Sequence, residues 1–189
     1  MPELLFDKGS HVYSVNGRAL PSVTGILKAE GFIDDTWFTE DARLRGAYVH
    51  LACHLYDMGT LDEDSLDPAL RPYLDAYIRF KADTGFEVEE SEVPRYHEQY
   101  LFAGTPDKIG VMSKADTLID LKSGPIAPWT ALQTAAYELT LDRPVKRFGV
   151  QLTDEGKYKM VPFTDRTDRN IFLSALAIHN WKINHNGRK

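Results

Sequence analysis

At 189 residues, with 43% apolar and 26% charged residues, the chain fits one domain (1–189) that can build a full hydrophobic core without disulfides or a structural metal. This composition excludes a mainly disordered or collagen-like chain, and no segment approaches an apolar run long enough to span a bilayer. The net charge of −6 weighs against an extended nucleic-acid-binding face, although a local basic strip beside a carboxylate-rich cation site is compatible with it.

Cys53 is the only cysteine, so neither an intramolecular disulfide, a four-cysteine zinc site nor a cysteine-ligated iron–sulfur cluster can form. Met1 to Asp7 has neither the basic start and apolar run of a signal peptide nor the arginine-rich character of a transit peptide. A reducing cytoplasm, with no membrane, is the expected location.

In chain order, His11 to Val15 and Arg18 to Leu20 flank Asn16-Gly17, the dipeptide best suited to a two-residue hairpin turn. Ser22 offers an N-cap for a short helix over Val23 to Lys28, and Gly31 offers its stop. From Asp34 to Met58 apolar residues recur at helical spacing, among them Trp37, Phe38, Leu44, Val49 and Leu55, and a second such pattern runs from Pro68 to Asp83. The period then changes. Phe86 to Pro94, Gln99 to Ala103, Thr105 to Met112 and Ala115 to Lys122 read as strands, and Pro128 to Leu141 as a helix. Arg147 to Leu152 and Tyr158 to Phe163 read as two more strands, and Asp165 to Asn184 as a last amphipathic helix. Helices before and after a mixed sheet make an α/β domain, bordering on α+β, with a small N-terminal hairpin.

Two segments carry the chemistry, Gly104-Thr-Pro-Asp107 and Ile119-Asp120-Leu-Lys122. A two-residue turn at Ser113-Lys114 pairs Met112 with Ala115 and, counting back, sets Asp107 opposite Asp120. Opposed side chains on paired strands have Cβ atoms roughly 4.5–5.5 Å apart, where like charges repel, so two carboxylates there call for a cation. Lys122 falls on the same face as Asp120. As residues alone, a D-x-K triplet is common enough to favour a plainer reading, in which Asp107 ends a turn and Asp120 and Lys122 form a surface ion pair on an edge strand, although the matched register weighs towards a site. His50 and His54 are one helical turn apart, but Leu51 stands where an H-E-x-x-H zinc helix needs its glutamate, which removes the metalloprotease reading.

The set Gly104-Thr-Pro-Asp107, Leu118-Ile-Asp120-Leu-Lys122-Ser-Gly124 and Gln133-Thr-Ala-Ala-Tyr137 resembles the core of the RecB-type branch of the PD-(D/E)XK nucleases. That branch takes in many phage exonucleases and the mitochondrial genome maintenance exonuclease. Arg45-Gly-Ala-Tyr-Val-His50 resembles its R-G-x-x-x-H helix, and Leu20-Pro-Ser-Val-Thr24 the entry segment of its phage-like members. The resemblance runs from Leu20 to Tyr137 and leaves the C-terminal third without support.

The resemblance implies a restriction-endonuclease-like core and a nuclease, exonucleolytic or end-processing, that hydrolyses DNA with metal-activated water. Asp107, Asp120, the Leu121 backbone carbonyl and His50 would be the ligands of Mg²⁺ or Mn²⁺, a hard and oxygen-seeking cation. Lys122 would act on water and phosphate, with Gln133 and Tyr137, one helical turn apart, orienting it or contacting DNA. Glu92 is a weaker candidate for a third carboxylate, set in a run with Glu87, Glu89 and Glu90 that also reads as a solvated face. Trp129 and Phe102 read as core. Arg43, Arg45 and Tyr48 are candidates for DNA contact, and Lys146, Arg147, Lys157, Lys159, Lys182, Arg188 and Lys189 for a basic track. The implied partners are DNA, single- or double-stranded with a free end, and phage or host recombination or replication proteins. Two alternatives stand beside this: a catalytically silent DNA-binding subunit of a recombination complex, and a restriction-type endonuclease.

Overall fold

In the computed structural model, which describes residues 3–34, 36 and 39–186 (the side chain of Asn186 excepted), the chain opens with an antiparallel sheet of β1 (Leu4–Asp7), β2 (Val12–Val15) and β3 (Arg18–Leu20). Trp37, Phe38, Arg188 and Lys189 lie outside the described residues. Asn16 and Gly17 both take positive φ, 52° and 75°, as their hairpin turn requires. The sequence pattern had missed β1, which is only four residues long and whose three consecutive apolar residues show no alternation with polar ones.

Helix α1 (Val23–Ala29) starts where Ser22 accepts the Gly25 N–H at 3.0 Å, and it buries Val23, Ile26 and Leu27. Helix α2 (Glu40–Asp57) begins at Glu40 rather than Asp34. The Asp34 carboxylate takes the Thr36 N–H and hydroxyl at 3.0 and 2.6 Å, a local turn that competes with helix, and Thr39 supplies the cap. Helix α3 (Arg71–Thr84) also begins late, because Asp67 turns the chain by accepting the Ala69 N–H at 2.9 Å, and it ends at Gly85 with φ 65°.

The main sheet has the order β10-β9-β8-β7-β4, built from β4 (Glu87–Ser91), β7 (Lys108–Met112), β8 (Ala115–Lys122), β9 (Lys146–Leu152) and β10 (Tyr158–Phe163). Strands β8 and β9 are parallel, joined through α4 (Trp129–Leu139), and the other neighbours are antiparallel. Two short strands, β5 (Arg95–His97) and β6 (Phe102–Gly104), form a separate ribbon, and the last helix is α5 (Thr167–Asn186). The strand expected over Gln99 to Ala103 is therefore shorter. His97 Nδ1 accepts the N–H groups of Gln99 and Tyr100, both at 3.2 Å, and this turn consumes its first half.

Residues Thr117 to Leu121 of β8 are buried because both faces of the sheet are covered. Ile119 and Leu121 point to a core shared with Val49 and Cys53 of α2 and Tyr77 and Phe80 of α3. Leu118 points to the other, with Ile26 of α1, Tyr137 of α4 and Phe172 of α5. The fold is thus mixed α/β, a central mixed sheet between helices with a small antiparallel N-terminal sheet. Among the described residues no helix is long and apolar enough to cross a membrane.

Candidate active site

The site is set by strand register. Turn residues Ser113 and Lys114 both have positive φ, 50° and 61°, and β7 pairs with β8 through Met112↔Ala115 to Lys108↔Ile119. One further step sets Asp107 beside Asp120. On its other edge, β7 pairs Ser91 with Lys108 after a bulge between Val88 and Glu90, so one further step sets Glu92 beside Asp107. The Glu92 N–H does donate to the Asp107 carbonyl, at 3.0 Å. Three carboxylates therefore lie in a row across neighbouring strand ends. The row ends on β9 at Gly149, the partner of Asp120, where an added Cβ would come within 3.1–3.2 Å of Phe163 and Ile126.

Helix α2 brings His50 to this row. Its Nδ1 is 3.3 Å from Asp107 Oδ1 and 3.6 Å from Glu92 Oε1, and its Nε2 is 3.0 Å from the Leu121 carbonyl oxygen. Donation of Nε2–H to that carbonyl fixes the ring and turns Nδ1 to the two carboxylates. Ligand-type atoms of His50, Glu92 and Asp107 all lie within 4.8 Å of one another. Glu92 is held at φ 56°, a conformation that non-glycine residues seldom adopt and that collects at functional sites, and its Oε1 is buried without a hydrogen bond. Burial opposes a charge on His50, but the Asp107 carboxylate and Glu92 outweigh it and raise the imidazole pKa to about 10. Burial likewise opposes the Asp107 charge, yet His50, Lys122 and the Leu121 N–H, which Asp107 Oδ2 accepts at 2.6 Å, hold its pKa below the ordinary value. Glu92 Oε1, buried and lacking a donor, and Asp107 Oδ1, both gathered on an imidazole nitrogen, fit a divalent cation.

Asp120 stands outside that triad and lies against the lysine. It is fully buried, and Lys122 Nζ is 2.5 Å from its Oδ2, although neither Asp120 oxygen has a partner in hydrogen-bonding geometry. The contact is thus one of charge, out of line for a hydrogen bond. Burial pushes the Asp120 pKa up to about 6, against the pull of Lys122 and with a push from Asp107. Lys122 Nζ also donates to Gln133 Oε1 at 3.3 Å and sits 5.2 Å from the centre of the Trp129 ring, while Gln133 Nε2 donates to the Tyr137 hydroxyl at 3.0 Å. Trp129, read as core, in fact flanks the lysine.

Gly104 is explained by the same packing. A Cβ there would lie 2.6 Å from Tyr137 Cε1 and 3.1 Å from Val23 Cγ2. Only glycine lets the Tyr137 ring, and with it Gln133, approach the strand end.

Behind the row lies a polar cluster that sequence reasoning missed. Lys108, fully buried, pairs with Asp57 at 2.7 Å and donates to Ser91 Oγ at 2.7 Å. Asp57 also receives Tyr77 and Lys81, each at 2.7 Å. His54 Nδ1 is 2.7 Å from the same Ser91 oxygen, which ties it to this cluster and away from any zinc pair with His50.

Other expected residues stand elsewhere. Phe102 is core, edge-on to Phe172 at 5.0 Å. Tyr48 is exposed but lines a neighbouring cleft with Leu55 and Leu70, not the cavity of His50. Arg43 lies 3.8 Å from Glu40, and the Arg45 Nε is buried without a hydrogen bond. Three of the five described residues of the basic track are engaged: Arg147 is buried against Asp168 and Glu138, Lys157 pairs with Glu155, and Lys182 pairs with Glu30.

No protein-family model and no curated protein matches the chain. Solved structures do. A candidate exonuclease from Eubacterium rectale is 16% identical, with 90% of this chain and 82% of that one covered at a TM-score of 0.57. The LHK-Exo complex with dAMP is 17% identical over 90% of this chain and 95% of that one, with a TM-score of 0.42. The alkaline exonuclease LHK-Exo from Laribacter hongkongensis is 16% identical over 88% and 92%, with a TM-score of 0.41. At these identities the likeness concerns architecture, and the Eubacterium rectale protein shares the fold of this chain.

Proposed function

We propose that the chain is a divalent-metal-dependent deoxyribonuclease of the PD-(D/E)XK type, hydrolysing phosphodiester bonds at DNA ends, with residues 1–189 acting as one domain. The observation that carries this reading is the row Glu92, Asp107 and Asp120 across three strand ends, with Lys122 two residues beyond Asp120 and His50 over its middle. His50, Glu92 and Asp107 would hold Mg²⁺ or Mn²⁺, with Asp120 and the Leu121 carbonyl at the edge of the same shell. When bound, such an ion polarises a phosphoryl oxygen and lowers the pKa of water.

The chain's own groups do the rest. Lys122, flanked by Asp120, Gln133 and Trp129, presents one ammonium to the scissile phosphate from a fixed place. Gln133 keeps that lysine in register by accepting from it while donating to Tyr137. The fold shared with a candidate exonuclease and the sequence motifs support the assignment. Phage or host recombination proteins, in a bacterial cytoplasm, are the partners and place this reading suggests.

The test is incubation with end-labelled linear and circular DNA, single- and double-stranded, in Mg²⁺, Mn²⁺ or EDTA. Metal-dependent loss of nucleotides from linear substrates alone is expected. Cutting of circles would make the chain an endonuclease, and binding without turnover in either metal would make it a silent accessory subunit.

A further inference from the structure

A cavity of about 490 Å³ opens beside the carboxylate row, and one of its walls is the N-terminal sheet. His50, Glu92 and Thr105 lie at its floor, Gly46, Ala47 and Leu51 of α2 on one side, and Phe6, Lys8 and His11 on the other. The aromatic wall is built in layers. Phe6 stacks on Tyr13 with ring centres 4.4 Å apart and 14° between planes, and His11 stands edge-on to both rings at 5.4 and 5.6 Å. The Tyr13 hydroxyl is 2.8 Å from Thr105 Oγ1, which fastens the stack to the floor of the cavity.

The loop that carries this wall is preorganised. Asp7 Oδ1 accepts the Gly9 N–H at 2.9 Å and Oδ2 the Ser10 hydroxyl at 2.7 Å, so one side chain closes the turn from Asp7 to Ser10. His11 follows at φ 53°, a left-handed conformation that histidine tolerates better than most side chains, and remains exposed. Lys8 is exposed, and no acidic partner engages it among the described residues. Phe6 packs on the small core of Tyr13, Val15, Leu20 and Ala103 yet stays only partly buried, and His11 and Lys8 are exposed. Phe6 shares this cavity with the small residues Gly46 and Ala47, and about 490 Å³ leaves room for a flat ring. Lys8 at its rim suits the anion attached to that ring, on a chain whose net charge of −6 would otherwise repel it.

We propose that the β1–β2 loop is a nucleotide-positioning subsite, in which the base adjoining the scissile phosphate stacks on Phe6 with His11 edge-on to it, and Lys8 contacts the backbone phosphate. The inference rests on the nuclease reading, and it adds residues outside the carboxylate and lysine machinery. Stacking is indifferent to base identity, so the subsite selects an unpaired nucleotide rather than a sequence.

Steady-state hydrolysis of short single-stranded oligonucleotides tests it, with an abasic site placed in turn at each nucleotide flanking the cleavage point. For the parent, one of these abasic substrates should lose about tenfold in kcat/KM, the scale of one stacked base. His11→Ala and Phe6→Leu should raise KM for the intact oligonucleotide with little change in kcat, and should treat intact and abasic substrates alike. Phe6→Tyr, which keeps a stacking ring, should restore the discrimination. Lys8→Ala should flatten the dependence of log affinity on log salt by about 0.7. His11 is exposed, so its variant reports even where Phe6→Leu unfolds the sheet. Parent discrimination that persists in His11→Ala and Phe6→Leu, or a parent that hydrolyses intact and abasic substrates equally, overturns the subsite and leaves the nuclease reading standing. A parent that hydrolyses no DNA overturns both.

Discussion

Replacing Asp120 by asparagine should make the metal-free protein more stable while removing its activity. Asp120 is fully buried, beside Asp107, and neither of its oxygens has a hydrogen bond. Burial first, and the Asp107 charge after it, lift its pKa to about 6 against the attraction of Lys122, from an ordinary aspartate value of 3.8. A carboxyl raised in the folded state carries no penalty below the unfolded value. The penalty grows as pH rises from 3.8 towards 6 and is complete above that. Its size follows from the gap between the two values, about 3 kcal/mol at pH 8. Asparagine has nearly the shape of the protonated acid and escapes the penalty. For a chain of this length the gain corresponds to roughly 6–12 °C in Tm at pH 8, shrinking towards zero near pH 4. Thermal melts of both proteins in EDTA across that range read it directly. A variant less stable than its parent at pH 8, or a difference that does not change with pH, would refute the reasoning and return Asp120 and Lys122 to the status of an ordinary ion pair.

Lys122→Ala should abolish hydrolysis while Mn²⁺ binding remains detectable by calorimetry, since on the proposed reading the lysine, held beside Asp120 and Gln133, acts on phosphate and leaves the His50, Glu92 and Asp107 cluster intact. His50, raised to about 10, gives stability that is fully present below its ordinary 6.5 and lost as pH rises through 10. The Tm difference between the parent and His50→Ala in EDTA should therefore narrow from pH 6 to pH 10, and Mn²⁺ binding at pH 7 should release a proton only in the parent, seen as a buffer-dependent binding enthalpy. Gly104→Ala, with a Cβ 2.6 Å from the Tyr137 ring, should cost about 1–3 kcal/mol by urea unfolding and lower kcat through Gln133 and Lys122. Asp57→Asn should cost about 3–5 kcal/mol because Lys108 is left charged and buried, and Lys108→Met in the same chain should recover much of that.

The central strands were legible because their signals are local and redundant. Ala115 to Lys122 is a run with a tight turn before it, and that turn alone fixes the alignment of Asp107 with Asp120. Glu92 was harder to single out. Glu87, Glu89, Glu90 and Glu92 look alike in sequence, and only the bulge after Val88 and the positive φ of Glu92 turn that one residue towards Asp107 and His50. Helix starts were misjudged where Asp34 and Asp67 close side-chain turns that an apolar pattern does not register. Arg147 read as surface charge but is buried, because Asp168, far along the chain, comes back to meet it. The Lys108–Asp57 pair was invisible for the same reason: its partners are brought together by packing of α2 on the sheet, a long-range relation that no spacing encodes.

The most direct test of the account is calorimetric titration of Mn²⁺ into the parent and into the double variant Glu92→Gln, Asp107→Asn. The account predicts saturable binding to the parent, and none to the variant at the same concentrations, because the variant keeps His50 but loses both carboxylates around it. Equal binding by the two proteins, or no binding by a folded parent, would contradict the assignment of the carboxylate row as a metal site.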